Sequence, residues 1–209
     1  MKSPAAKALS DVMSDFPGVK LLPGFHVHRP DSVHLPLNEG LDAFKEDDSL
    51  DPGYFEEVAG RALLLLEERT DPDDGLLLVT NGYPAHPGVI SRYLKRPELK
   101  YRMDSRRDIW QDGDERIPVS RLILPCKMKD IRWRPLLLAI SGQDFGRHPR
   151  LRRTGSRYPP DVFVLNEAKR EIFYMYDDRG CDVLEWRDNE IQQWRHEPVI
   201  QYMGNPEGR

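Results

Sequence analysis

Three short apolar runs in the last third of the chain constrain its fold more than any other feature. Val162-Phe163-Val164-Leu165, Ile172-Phe173-Tyr174-Met175-Tyr176 and Val183-Leu184-Glu185-Trp186 are separated only by polar turns at Asn166 to Arg170 and Asp177 to Gly180. Runs of β-branched and aromatic residues bounded by Asn, Asp and Gly read as strands, and turns of this length close hairpins. The segment therefore predicts an antiparallel meander. Helical patterns elsewhere extend this to an α+β fold, an antiparallel sheet packed against amphipathic helices.

Upstream, Ala5, Ala8, Leu9, Val12, Met13 and Phe16 recur at three and four, which predicts a short amphipathic helix stopped by Pro17-Gly18 and docked on the body. Prolines and histidines interrupt Leu21 to Leu37, leaving Val33 to Leu37 as a short edge strand. Asp42 to Asp51 is an acidic, solvated loop. Asp51-Pro52 then supplies a helix start, a capping carboxylate before a ring already at helical φ, with Glu56 and Glu57 expected in the first turn. Phe55, Val58, Ala59, Ala62, Leu63 and Leu66 mark its inward face as far as Arg69.

Asp73-Asp74-Gly75 turns the chain into Leu76-Leu77-Leu78-Val79-Thr80, an unbroken apolar run suited to a strand covered on both faces and closed by Asn81-Gly82. From Tyr83 to Asp114 the pattern weakens around Pro84, Pro87 and Pro97, and the reading is a long loop or subdomain boundary with a short helix at Val89 to Leu94. Ile117 to Leu124 reads as a strand, and Trp133 to Gln143 as a helix with Leu136, Leu137 and Ile140 inward. Asn189 to His196 and Val199 to Met203 suggest a closing helix broken at Pro198. At 209 residues the simplest organisation is one domain over 1–209, with an N-terminal extension at about 1–50.

Charge is segregated. Residues 1–90 carry 7 Lys and Arg against 16 Asp and Glu, a balance of −9, whereas residues 91–209 carry 24 against 19, a balance of +5. A polyanion would meet the second half, but the overall charge of −4 argues against a surface built wholly for nucleic acid. Cys126 and Cys181 alone make neither a disulfide scaffold nor a zinc ribbon, which fits a reducing, cytoplasmic location. No run reaches the roughly 18 apolar residues of a membrane span, and no secretory leader is expected.

The turn Asp177-Asp178-Arg179-Gly180 admits two readings. Structurally, Asp177 can bond its own backbone two residues on while Gly180 takes a positive φ. Functionally, Asp177, Asp178 and Asp182 around the guanidinium of Arg179 could bind a divalent cation, or hold Arg179 out towards a carboxylate or phosphate. A second candidate surface is the basic segment Arg147, Arg150, Arg152, Arg153 and Arg157, with Tyr158 beside it, whose charges suit a phosphate backbone. His26, His28 and His34 invite a zinc reading that no HExxH or Cys partner supports, and His148 near Asp144 is a general base only if the two meet in space. No nucleophile elbow, P-loop or dinucleotide fingerprint occurs.

The stretch Ile172-Phe173-Tyr174-Met175-Tyr176-Asp177-Asp178-Arg179-Gly180-Cys181-Asp182-Val183 resembles a bacterial family, the domain of unknown function numbered three-eight-eight-five, whose hallmark is an apolar strand ending in Tyr-Asp-Asp-Arg-Gly. The Tyr54-Phe55-Glu56 helix with Arg61-Ala62, the acidic turn and strand after it, and Asp144-Phe145 are similar to the family as well. The likeness covers roughly residues 54–186 and departs at Arg147 to Pro160, which is longer and more basic. It implies a fold and leaves activity open.

Three functions follow as expectations. The first is a non-catalytic protein-binding module of the immunity or antitoxin kind, with a protein partner and no cofactor or metal. The second is a metal-dependent enzyme acting on phosphate-containing substrates through Asp177, Asp178, Asp182 and Arg179, and the third is nucleic-acid binding through Arg147 to Arg157.

Overall fold

A computed structural model describes residues 3–23, 25, 32–83, 89–145, 151 and 158–186. The arginines of the basic segment, His26, His28, His148 and the expected closing helix at Asn189 to His196 and Val199 to Met203 lie outside the described residues.

Helix α1 spans Pro4–Met13, with Pro4 at its first position and the Ser3 side chain accepting from the Ala6 N–H at 3.2 Å. Helix α2 spans Pro52–Arg69 and starts as the sequence predicts, Asp51 accepting from the Gly53 N–H at 2.9 Å. Its first turn carries no acidic residue, so the expected dipole role of Glu56 and Glu57 is corrected. Both lie past that turn, where Glu57 pairs with Arg61 and Glu56 with Arg134. Helix α3 spans Trp133–Ser141, with Leu136, Leu137 and Ile140 buried.

Seven strands among the described residues form one sheet: β1 Val33–Pro36, β2 Gly75–Gly82, β3 Asp104–Asp112, β4 Glu115–Lys127, β5 Asp161–Asn166, β6 Glu171–Met175 and β7 Gly180–Glu185. Their order is β1-β7-β6-β5-β2-β4-β3, every pair antiparallel. The meander β5-β6-β7 is as expected. Val33–Pro36 is an edge strand, paired with β7. The reading of Tyr83 to Asp114 as loop is corrected, because Asp104–Asp112 pairs along its length with β4 as the opposite edge of the sheet. Its exposure explains the misreading: a strand whose residues are mostly in solvent carries no alternation of apolar side chains.

Side chains alternate across a strand, and β2 shows what that does here. Leu76 and Leu78 enter one core with Phe55, Val58, Ala62, Leu66, Leu136 and Ile140 of α2 and α3. Leu77 and Val79 enter the other with Ala5 and Val12 of α1, Phe16, Leu21 and Phe25. The sheet is thus covered on both faces, which is why β2 reads as continuously apolar. Asn81 and Gly82, expected to close the strand, are its last two residues, and Asn81 is fully buried.

Candidate functional site

The α1-facing side of the sheet carries a row of polar groups. Asn81 on β2 stands opposite Arg121 on β4 and Asp161 on β5, so cross-strand register alone brings the three together. Arg121 pairs with Asp108 of β3 at 3.2 Å and donates from Nε to Asn81 Oδ1 at 3.0 Å. Asn81 Nδ2 donates to Asp161 Oδ2 at 3.1 Å and to the Leu21 carbonyl at 2.8 Å, which Arg121 also reaches at 3.0 Å. Asp161 further accepts from the phenols of Tyr83 and, at 2.9 Å, Tyr174 of β6.

Burial of Asp161, 6% exposed, pushes its carboxyl up to about 6, against the lowering effect of the Tyr83, Asn81 and Tyr174 donors. The Tyr83 and Tyr174 phenols are held well above their ordinary range by burial and by the facing carboxylate. These phenols remain protonated donors, and the row is a satisfied network.

The row ends near the turn between β6 and β7. Here the Asx-turn expectation is met: Asp177 Oδ1 accepts from the Arg179 N–H at 2.8 Å. Asp177 Oδ2 accepts from Arg179 Nε at 2.8 Å and from its Nη2, so the guanidinium is gripped by two donors while its side chain stays 66% exposed. It also lies over the Tyr176 ring, 5.8 Å from the centroid. Asp177 raises the guanidinium's affinity for its proton still further.

The positive φ expected at Gly180 is corrected: it is the first residue of β7 and is absent from the left-handed residues, which include Gly18, Gly40 and Gly113. What demands glycine there is close approach. A Cβ would sit 2.8 Å from the Leu35 carbonyl oxygen, 2.7 Å from His34 Cε1 and 3.0 Å from the Tyr176 hydroxyl.

The three aspartates suggested as a cation site take separate partners. Asp177 holds Arg179. Asp178, 7% exposed, accepts from the phenol of Tyr54 on α2, and burial raises its carboxyl against that donor's pull. Asp182 of β7, with no exposed surface, stands opposite His34 of β1, and its Oδ1 lies 2.9 Å from His34 Nδ1. Asp178 is thus tied to the α2 face, whereas alternation turns Asp182 to the α1 face with Leu184. Among the described residues no three His, Cys, Asp or Glu side chains gather as metal ligands would. Cys126 and Cys181 are buried, with thiols that burial pushes up, Cys126 to about 12, so neither is poised as a nucleophile.

Beside the turn opens a cleft of about 430 Å³. Pro23, Tyr158, Pro159 and Pro160 supply apolar rings, and Gln143, Asp144, Asp161, Tyr174, Tyr176, Asp177 and Arg179 supply polar groups. That size and mixture suit a ligand or an inserted side chain. Asp177, Arg179 and Asp144 were legible as candidates, while Asp161, Tyr174, Asn81 and Gln143 were not. A polar residue ending an otherwise apolar strand, as Asn81 does, was the available signal.

Residues 10–197 match the family described as Domain of unknown function (DUF3885), and the chain belongs to that family. The match reaches further at both ends than the resemblance read from the sequence and takes in β1. The chain is also similar to "Uncharacterized protein YnaE" of Bacillus subtilis (strain 168), 29% identical over 180 residues that cover 81% of this chain and 84% of that protein. No solved structure matches. No helix among the described residues is long and apolar enough to cross a membrane.

Proposed function

We propose that this chain is a non-catalytic protein-binding module, of the immunity or antitoxin kind, that receives its partner at the cleft beside the Tyr176–Gly180 turn. One observation carries this reading. Arg179 is fixed in direction by Asp177 yet two-thirds exposed at the cleft, a pre-ordered contact whose side-chain entropy is already reduced before a partner arrives. Proline and tyrosine rings around it offer rigid apolar area, the composition found at interface centres.

The enzyme reading asks Asp177, Asp178 and Asp182 to meet at one ion, and the partners of Asp178 and Asp182 draw them to different faces of the sheet. The acidic loop at 42–51, exposed over most of its length, adds negative surface charge that would steer a basic partner.

The test is affinity purification of wild type and Arg179→Ala from cells of the native host, with mass spectrometry of what is retained. A stoichiometric protein should accompany wild type, leave at high salt and be missing from a folded Arg179→Ala. Bait recovered alone in both cases would remove the binding-module reading.

A further inference from the structure

We infer that the outer edge of β3 pairs with the same strand of a second copy of this chain, antiparallel about a two-fold axis at Ile109. β3 ends the strand order, and among the described residues no strand lies against its far side. Which of its residues face outward follows from the hairpin. Gly113, at φ +58, and Asp114 form a two-residue turn between Asp112 and Glu115, and such a turn closes on a bond from the first flanking carbonyl to the second flanking N–H. Hydrogen-bonded positions alternate along an antiparallel ladder, so the even-numbered residues of β3 bond to β4. Ser105, Arg107, Ile109 and Gln111 therefore turn their N–H and C=O groups outward. Two observations agree. Ile109 stands opposite Pro118, which has no N–H to give, and its own N–H is met instead by the Asp108 carboxylate at 2.8 Å.

An outward row of this kind is a template for another strand, and charged side chains restrict what can pair with it. Here the charges select a second copy. A two-fold axis perpendicular to the sheet keeps the α1 sides of both copies together, so a residue on that side meets another on that side. Centring the axis on Arg107 or on Asp108 sets that charge against itself, and centring it on Trp110 sets Asp108 against Asp112. Centred on Ile109, the half-exposed isoleucines meet each other, Arg106 meets Asp112 twice by symmetry, Arg107 meets Gln111 and Asp108 meets Trp110. No like charges then stand opposed between 106 and 112. Arg106 gives Asp104 its Nε at 3.1 Å and Asp112 takes a long 3.4 Å bond from Tyr158, so both side chains keep groups for the new pair. The Ile109 N–H exchanges its local bond for the Ile109 carbonyl of the second copy, and Asp108 keeps Arg121 at 3.2 Å. An edge running from Arg106 to Asp112 buries less than a standard interface, so the dimer is weak, with a Kd on the order of 10 μM. Dimerisation at β3 is independent of partner capture, since none of the described cleft residues lies on β3.

The test is sedimentation velocity of the full chain across about 1–200 μM, a range that brackets this Kd. Wild type should pass from monomer to dimer. Ile109→Pro removes an N–H that β4 does not use, so it should keep the wild-type circular dichroism and weaken the dimer by more than about tenfold. Arg106→Asp and Asp112→Arg should each weaken it about tenfold, and the two together, which exchange the charges of both pairs, should restore it to within about threefold. Ile109→Cys should oxidise to a disulfide-linked dimer, whereas Ser105→Cys, which the axis holds roughly 27 Å from its own copy, should not. The charge exchange and the cross-link decide the matter where Ile109→Pro does not fold. A monomer at every concentration, a dimer undisturbed by a folded Ile109→Pro, a double charge variant as weak as the singles, or equal cross-linking at 105 and 109 overturns the inference.

Discussion

The two faces of the sheet are covered by different chemistry. On the α2 and α3 side, Phe55, Leu66, Leu136 and Ile140 meet Leu76, Leu78, Val164 and Phe173 in a core formed by apolar side chains. On the α1 side, the apolar cluster around Phe25, Phe163 and Leu165 adjoins the Arg121-Asn81-Asp161 row, and the cleft opens where that row meets Tyr174. Non-directional packing tolerates exchange of one apolar shape for another, whereas a buried polar row works only when every donor has its acceptor. The first face contributes stability, and the second fixes where a few side chains point.

The largest effect expected from disturbing that contrast is on the apolar side. Phe55, fully buried and edge-on to Phe145 at 4.7 Å between ring centroids, should cost about 3–5 kcal/mol as Phe55→Ala, read by urea unfolding. A loss below about 1 kcal/mol would mean the face collapses around the gap.

The polar side should respond to pH instead. With its folded carboxyl near 6, above the ordinary value, Asp161 makes a contribution to stability that is fully present below about pH 4 and is lost as pH rises through 6. The unfolding free energy of Asp161→Asn relative to wild type should therefore move in the variant's favour, on the order of 3 kcal/mol, between pH 4 and pH 7. A difference that is flat with pH would show that water reaches this carboxyl.

Gly180→Ala should cost about 1–3 kcal/mol, because the Leu35 carbonyl is backbone and yields little. Its signature is a loosened β1, seen as faster amide exchange at Leu37, whose N–H bonds the Arg179 carbonyl. Smallest of all, Arg179→Ala should change stability by no more than about 0.5 kcal/mol while removing partner capture. A large stability loss would make this arginine a structural clamp.

Much of the apolar face was legible in the sequence, because its signals are local. The periodicity of Phe55 to Leu66, the cap at Asp51-Pro52 and the turns of the meander each lie within a few residues of what they specify. Strand β3 was hidden by its charges, Arg106, Arg107 and Asp108 among them, which an edge strand places in solvent. The polar row was hidden for a different reason. Asn81 and Asp161 are 80 residues apart and His34 and Asp182 are 148 apart, so their pairing is a property of sheet register that no spacing records. The Asp177–Arg179 grip was readable because it spans two residues. The need for glycine at 180 was read from the right residue for the wrong reason, since the crowding comes from β1.

That crowding bears on how the chain is made. Among the described residues Val33–Pro36 pairs with β7 alone, at Gly180–Val183, so most of the chain must be synthesised before this strand meets that partner. A four-residue segment ending in proline is a poor template for pairing with anything else while it waits. Closure of the first strand onto the last, against the very glycine that adjoins Arg179, is therefore a late event in assembly. The cleft shares that timing, since Tyr176, Asp177 and Arg179 arrive with the turn leading into β7. A partner that docks there meets finished molecules and passes over nascent ones.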